Sequence, residues 1–174
     1  MMAARLFIAL WPEDGVRDAL AAWRDGWQWP RHATPVRTAR LHVTLHFLGD
    51  VAAERLPDLG PALACQFEPF TLSFGHNQLW PHGIAVLEPH STPAALTTLH
   101  AALALRLQQL GVPTDSRPYR PHATLARRAA GATSPQCGPA IDWRVERYAL
   151  MQSVTGHGGG YATLRSYGAS GDIL

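Results

Sequence analysis

Two short motifs of the same type recur along this chain. His42-Val-Thr44-Leu and His122-Ala-Thr124-Leu each place an imidazole two residues before a hydroxyl. Side chains alternate across a strand, so the histidine and threonine of each motif share one face if the motif is extended. Two such strands facing each other would form a site of two imidazoles and two hydroxyls with approximate two-fold symmetry. The repetition, with strand-like flanks both times, favours a functional site over a structural coincidence.

These groups fit phosphoryl chemistry that needs no metal ion. Hydrolysis of a phosphodiester requires a base to take a proton from water and an acid to protonate the leaving oxygen, and histidine fills either role near neutral pH. With one imidazole neutral and one protonated, His42 and His122 can act on opposite sides of phosphorus. The hydroxyls of Thr44 and Thr124 can donate to the non-bridging oxygens. A five-membered cyclic phosphate is already strained, so such a site would need to supply less rate acceleration for this substrate.

A metal centre is the rival use of the histidines. His42 and His46 are four residues apart, which would bring them together on a helix but separates them by roughly 13 Å on a strand. The sequence contains no HExxH motif, HD pair or Cys/His cluster. His32-Ala-Thr34 imitates the repeated motif, but Pro35 replaces its leucine and the flanks are loop-like. We therefore expect no metal site.

Composition narrows the function classes. The chain has 174 residues, of which 47% are hydrophobic and 16% charged, so it is expected to fold rather than to be disordered. It contains no lysine, which excludes a lysine nucleophile, a P-loop lysine and the adenylated lysine of an ATP-driven ligase. The net charge of +2 argues against a polycationic nucleic-acid coat. Cys65 and Cys137 form no CxxC pair, and no apolar run is long enough for a membrane span, so a reduced cytoplasmic protein is expected.

The elements that must position the motifs are mostly strands. Strand-like patterns cover residues 5–10, 41–48, 69–80, 83–88, 119–126, 141–152 and 161–167. Helical patterns cover a segment following Pro12 that reaches Trp27, a broken helix over 51–66, and a helix over 93–110 that Pro93 opens and Gly111 closes. Strands mixed with three helices, without regular βαβ repetition, predict an α+β fold.

The motifs and their flanks resemble the 2H phosphoesterase superfamily, which takes its name from two HxTx motifs. More closely, they resemble its bacterial RNA 2',3'-cyclic phosphodiesterases, historically called 2'-5' RNA ligases. The resemblance extends along the chain through residues 5–10, 41–49, 119–127 and 148–153 and through Tyr161. It implies a monomer made of a single 2H phosphoesterase domain, residues 1–174. Two pseudo-symmetric lobes would line a central cleft with antiparallel sheets and carry their helices outside.

The resemblance also implies a reaction and a role for each site residue. The reaction would open the 2',3'-cyclic phosphate end of an RNA to a 2'-phosphate without metal or cofactor, and reversible 2'-5' ligation would be the reaction in which a 5'-hydroxyl replaces water. His42 would protonate the leaving 3'-oxygen and His122 would accept a proton from water, although strand geometry alone leaves this order open. Thr44 and Thr124 would hold the phosphate. Arg127 is a further phosphate-binding candidate, but strict alternation places it on the opposite face, so it needs a bulge or the strand end.

Other functions remain compatible with these residues. The chain could be an esterase of another small cyclic phosphate or of a 2'-5' oligonucleotide, a non-catalytic binder of RNA ends, or a metal-dependent hydrolase. Arg117, Arg120, Arg127 and Arg128 form a basic cluster that is either solvated or in contact with the RNA backbone. The glycine-rich run over 156–160 is expected to be a hairpin, or alternatively to bring backbone amides near an anion.

Overall fold

One antiparallel sheet organises the protein. The computed structural model describes residues 3–156 and 159–174, and within them the chain forms nine strands and three α-helices. The strands are β1 (Ala3–Leu10), β2 (Thr34–Pro35), β3 (Val43–Ala52), β4 (Phe70–Trp80), β5 (Ile84–Pro89), β6 (Ala123–Arg127), β7 (Ile141–Val145), β8 (Arg147–Val154) and β9 (Gly160–Gly168). The helices are α1 (Asp14–Asp25), α2 (Leu56–Ala62) and α3 (Ala94–Gln109), and short 3-10 turns cover Thr38–Arg40 and Ala53–Arg55.

The order of the strands divides the sheet into two halves. The order is β7-β4-β5-β6-β3-β1-β8-β9, with β2 added beside β6, and every pairing is antiparallel. Strands β3 and β6 meet in the middle through the residue pair Val43–Ala123. The predicted α+β class, with antiparallel strands and three helices, is therefore confirmed. Each motif begins one residue before the strand that faces the other half.

The two halves repeat one another at this junction. Strand β1 pairs with β3 in the same register in which β5 pairs with β6. The corresponding partners are Leu10–Val43, Ala9–Thr44 and Ile8–His46 in one half, and Leu87–Ala123, Val86–Thr124 and Ala85–Ala126 in the other. Both ladders leave out the motif leucine, Leu45 or Leu125, at a β-bulge. The sequence echo between the motifs is therefore part of a structural repeat.

The helices cover one face of the sheet. Alternate strand residues, such as Ile8 and Leu72, bury their side chains with Leu20 of α1, Leu59 of α2 and the leucines of α3 in one continuous core. On the opposite face, Phe7, Ala9, Ala149 and Met151 form a smaller apolar cluster against which Trp11 packs. The motif histidines and threonines are on this second face, where no helix core covers them. The alternation of the strands thus separates a packing face from a face available for chemistry.

Several boundaries differ from the sequence prediction, each for a local reason. Strand β3 does not turn at Gly49 but continues to Ala52, because Gly49 takes a positive φ of 72° and pairs with Leu6. Helix α1 ends at Asp25, so the buried Trp27 belongs to the following loop and not to the helix. The alternating segment over 141–152 divides at Glu146 into β7 and β8, which lie in opposite halves.

Other predictions about the chain have mixed outcomes. Strand β6 begins only at Ala123, so the second motif starts just before its strand, and Pro93 is the N-cap of α3 rather than its first residue. Residues 157 and 158 of the glycine-rich run lie outside the described residues. Both cysteines are free thiols, with Cys65 buried and Cys137 exposed. No helix in the described part of the chain is long and apolar enough to cross a membrane.

A buried tyrosine hydroxyl ties α2 to the sheet. The Tyr148 hydroxyl accepts a hydrogen bond from the backbone N–H of Cys65 at 2.7 Å and donates one to the carbonyl of Leu63 at 2.7 Å. Beside it, the Tyr167 hydroxyl donates to the carbonyl of Gly60 at 2.7 Å, and the two rings stack with centroids 4.8 Å apart. Both rings are fully buried, so these hydroxyls satisfy backbone groups that water does not reach.

Replacing Tyr148 with phenylalanine should therefore destabilise the protein. The change leaves the ring in place but removes the partner of two backbone groups, which costs about 1–3 kcal/mol for a buried donor or acceptor. Urea unfolding of Tyr148→Phe measures this loss, and Tyr161→Phe is the matched control because its ring is 36% exposed. Equal stability of the two variants would show that the Tyr148 hydroxyl contributes nothing net.

Candidate active site

The pairing of β3 with β6 brings the two motifs together. Val43 and Ala123 are directly opposite one another and fully buried on the helix side of the sheet. Because side chains alternate, the residues on either side of this pair point to the open face. In an antiparallel pair the histidine of each motif then lies across from the threonine of the other. The structure thus gathers all four predicted side chains, each of them partly exposed: His42, Thr44, His122 and Thr124.

Both histidines are oriented by the same local hydrogen bond. The Nδ1 of His42 lies 2.7 Å from the carbonyl oxygen of Arg40, and the Nδ1 of His122 lies 2.8 Å from that of Arg120. A carbonyl oxygen only accepts, so Nδ1 carries the hydrogen in each ring and Nε2 is left for chemistry. The Nε2 of His42 is 3.0 Å from the hydroxyl oxygen of Thr44, which donates to it when the imidazole is neutral. Each ring can therefore act as a base when neutral and as an acid when protonated.

Aromatic side chains surround His42. The Trp11 ring stacks on it with centroids 5.4 Å apart and planes at 21°, Phe7 lies at 5.2 Å, and Tyr161 meets it edge-on at 5.4 Å. Burial among these rings lowers the pKa of His42 to about 4, although the bond to the Arg40 carbonyl works in the opposite direction. His42 is consequently neutral near pH 7 in the free protein. A negatively charged ligand beside it would favour the protonated form.

Polar and charged groups surround His122. The Trp80 ring lies 4.3 Å from the imidazole, and Glu88 forms an ion pair with Arg120 at 2.8 Å. Burial lowers the pKa of His122, as it does for His42, but the negative charge of Glu88 acts in the opposite direction. The two rings thus occupy equivalent positions and are both partly buried beside an indole, but among the described residues the charge of a carboxylate acts only on His122.

Arg127 reaches the site through a β-bulge. Leu125 and Ala126 are both buried, which breaks the alternation and returns Arg127 to the exposed face that Thr124 occupies. The charge of its guanidinium lowers the pKa of both His42 and His122, so it lies near both rings. A cation beside two imidazoles is well placed to bind an anionic group between them.

The rest of the predicted basic cluster is partly neutralised. Arg117 forms a surface ion pair with Asp115, and Arg120 is paired with Glu88. The guanidinium of Arg128 donates to the hydroxyl of Thr34 in β2. Arg127 is therefore the member of the cluster whose charge acts on both motif histidines.

Sequence reasoning missed the residues that surround the two imidazoles. Trp11, Tyr161, Trp80 and Glu88 were not assigned to the site, because their proximity arises from strand pairing rather than from spacing along the chain. One signal was available: Phe7, Ala9 and Trp11 are spaced two residues apart in and just after β1, so an extended chain places them on one face.

The other histidines take different positions. His46 follows the bulge at Leu45 and is buried behind the site, where its ring stacks on His100 with centroids 4.0 Å apart. His100 in turn stacks on Tyr119 at 3.9 Å, and the Tyr119 hydroxyl donates to the carbonyl of Thr44 at 3.0 Å. This stack, His46–His100–Tyr119, supports the backbone of the first motif. Over residues 3–156 and 159–174, no three His, Cys, Asp or Glu side chains cluster as metal ligands would.

Comparison with known proteins gives one consistent family. Residues 12–157 match the family model described as the 2'-5' RNA ligase superfamily. An RNA 2',3'-cyclic phosphodiesterase of Thermus thermophilus is 32% identical over 163 residues, covering 86% of this chain and 81% of that protein. An RNA 2',3'-cyclic phosphodiesterase of Escherichia coli is 32% identical over 152 residues, covering 86% of each. The crystal structure of E. coli LigT complexed with 3'-AMP superimposes with a TM-score of 0.84 at 27% identity, over 96% of this chain and 98% of that one.

Acid should destabilise the folded protein through the His46–His100–Tyr119 stack. Burial lowers the pKa of His100 to about 4 and also lowers that of His46. As pH falls from about 6.5, the unfolded chain therefore binds protons before the folded chain does, and the free energy of unfolding decreases until about pH 4. Each such proton changes it by at most about 1.4 kcal/mol per pH unit.

The decrease in the free energy of unfolding can be measured by urea unfolding at several pH values. These should span about pH 4.5 to 7.5, the window in which imidazole titrates. We expect His100→Leu to flatten the pH dependence relative to the unmodified protein, whereas His32→Leu, at an exposed histidine, leaves it unchanged. An identical dependence in His100→Leu and in the unmodified protein would contradict the assignment.

Proposed function

The chain belongs to the 2'-5' RNA ligase superfamily, and we propose that it hydrolyses the 2',3'-cyclic phosphate end of RNA to a 2'-phosphate without a metal ion. The observation that carries this proposal is the Val43–Ala123 pair, which supports it because it pairs the two motifs on one face of the sheet, where the charge of His122 acts on His42. The charge of Arg127 acts on both rings there. Such a set of groups suits an anionic phosphorus centre with a proton acceptor on one side and a proton donor on the other.

The proposed reaction is an in-line displacement at phosphorus. His122 accepts a proton from water at Nε2 as the water oxygen bonds to phosphorus. The bond between phosphorus and the 3'-oxygen breaks, and His42 donates its Nε2 proton to that oxygen. The product is a 2'-phosphomonoester, and exchange with solvent returns the two imidazoles to their starting states. When a 5'-hydroxyl attacks phosphorus instead of water, the same groups take up its proton and protonate the 3'-oxygen, and the product is a 2'-5' linkage. The reverse of that ligation regenerates the cyclic phosphate and the 5'-hydroxyl.

Substrate binding prepares His42 for its role as acid. In the free protein its pKa is about 4, so it holds no proton near neutral pH. A cyclic phosphate carries a negative charge and would raise this pKa from a distance of a few ångströms. Protonation of Nε2 also releases the Thr44 hydroxyl, which can then donate to a phosphate oxygen as Thr124 does. Arg127 supplies a charge-assisted bond to the same group.

The aromatic surroundings of His42 favour a nucleoside substrate. The leaving 3'-oxygen belongs to the ribose, so a donor at His42 places the nucleoside on that side of the site. The rings of Trp11, Phe7 and Tyr161 are there, and unpaired bases of RNA bind to proteins by stacking on such rings. The similar crystal structure of E. coli LigT is a complex with the nucleotide 3'-AMP. We expect the protein to act on RNA ends as a monomer, without a cofactor.

Removal of either histidine should abolish turnover. Each proton transfer contributes roughly 10²–10⁴-fold to the rate, so His42→Ala and His122→Ala should each lose at least about 100-fold in kcat on a short RNA with a 2',3'-cyclic phosphate. The assay is run in EDTA, which should leave the unmodified protein fully active. His32→Ala, in the look-alike sequence, is the matched control and should keep full activity. Near wild-type rates in either motif variant, or loss of activity in EDTA, would overturn the proposal.

The pH profile gives a second test. The site works with one proton shared by two imidazoles, and burial holds the pKa of each below 6.5 in the free protein. The value of kcat/KM should therefore be greatest on the acid side of pH 6.5 and fall about tenfold per pH unit at higher pH. The bound phosphate raises the pKa of His42, so the optimum of kcat should lie at higher pH than that of kcat/KM. Profiles that are flat between about pH 5 and 9 would contradict this mechanism.

A further inference from the structure

The repeat between the two halves is broken at one informative position. Trp11 and Glu88 are equivalent, because each directly follows the leucine that pairs with the centre of a motif. Trp11 stacks on His42, whereas Glu88 brings a carboxylate to the side of His122. Two histidines at equivalent positions thus differ in a neighbour that the repeat would otherwise make the same.

Glu88 is held in place by two neighbours. Its side chain is 12% exposed, and its Oε1 accepts a hydrogen bond from the indole Nε1 of Trp80 at 2.9 Å. Its Oε2 accepts one from Nη2 of Arg120 at 3.2 Å, and the Nε of Arg120 lies 2.8 Å from Oε1 in the same ion pair. The Arg120 guanidinium also lies over the Trp80 ring, 5.0 Å from its centroid. The carboxylate is therefore fixed in position. We call Glu88, Arg120 and Trp80 the Glu88 cluster.

Trp80 and Arg120 contact the imidazole of His122, and the charge of Glu88 acts on it. The Trp80 ring is 4.3 Å from the imidazole, and the Nδ1–H of His122 donates to the backbone carbonyl of Arg120. The Glu88 cluster therefore orients the ring through the backbone carbonyl of Arg120 and the indole of Trp80, and Glu88 adds a negative charge nearby. A carboxylate near a catalytic histidine can stabilise the imidazolium that forms during proton transfer.

We propose that Glu88 is a positioning residue for His122, whose carboxylate stabilises the imidazolium that forms when His122 accepts the proton of water. This rests on the proposed function. It deepens that function by naming what distinguishes the two halves of a duplicated site. Trp11, at the equivalent position, provides no such charge to His42, which must give up its proton rather than keep it.

The charges around His122 are consistent with this role. Glu88 on β5 raises its pKa, while Arg120 on its own segment and Arg127 on β6 lower it, and His42 on β3 is the imidazole to which it is coupled. Burial is the largest influence and lowers the pKa. Glu88 thus counters both the desolvation and the neighbouring cations.

The test replaces Glu88 with glutamine, which keeps an oxygen for the Trp80 indole and removes only the charge. Titration of the histidine ring protons by NMR in the free protein should show a lower pKa for His122 in Glu88→Gln and an unchanged pKa for His42. On cyclic-phosphate RNA, kcat should fall roughly tenfold, with the limb governed by His122 moved to lower pH. Glu88→Asp, which retains the charge, should restore both properties. Asp115→Asn, which removes the exposed carboxylate paired with Arg117, is the matched control and should change neither.

Each outcome bears on one claim. If Glu88→Gln loses activity while the pKa of His122 stays the same, or if Glu88→Asp behaves like Glu88→Gln, the role is merely structural and the inference is wrong. The titration does not depend on turnover. If the unmodified protein does not hydrolyse cyclic-phosphate RNA but the pKa of His122 still follows the charge at residue 88, the proposed reaction fails and the coupling between Glu88 and His122 stands.

Discussion

The site depends on a single antiparallel residue pair. Val43 and Ala123 join the two halves of the sheet, and each is the central residue of a motif. Because both side chains are buried among the helices, the histidine and threonine on either side of them must face the open side. A shift of this pairing by one residue would turn the histidine and threonine of one motif into the core and separate them from those of the other. Burial of two small apolar side chains therefore sets the geometry of the polar groups that carry the chemistry.

The same repeat that builds the site also sets up its asymmetry. Equivalent positions around the junction hold aromatic residues on the side of His42, Trp11 and Phe47, and charged residues on the side of His122, Glu88 and Arg127. Hydrolysis needs one group that gives a proton and one that takes it, so a strictly symmetric site would be poorly matched to the reaction. Apolar surroundings lower the pKa of His42, whereas the fixed carboxylate of Glu88 acts to raise the pKa of His122.

Local patterns predicted the α+β class and the four motif side chains, because alternation and the repeated His-x-Thr-Leu operate over a few residues. The position of Arg127 could not be predicted in this way, since the bulge at Leu125 arises from the register between β6 and β5. Trp11 and Glu88 were missed for the same reason: each meets its histidine across a strand pairing. The continuation of β3 past Gly49 likewise depends on a partner, Leu6, that lies far away in sequence.

The central claim is that two opposed imidazoles break the bond to the 3'-oxygen of a cyclic phosphate. Phosphorus-31 NMR of the product from a short RNA with a 2',3'-cyclic phosphate end tests this most directly, because it distinguishes the two phosphomonoesters. The account predicts the 2'-phosphate as the sole product, since His42 protonates the 3'-oxygen. A 3'-phosphate, a mixture of the two, or no conversion by the folded protein would contradict it.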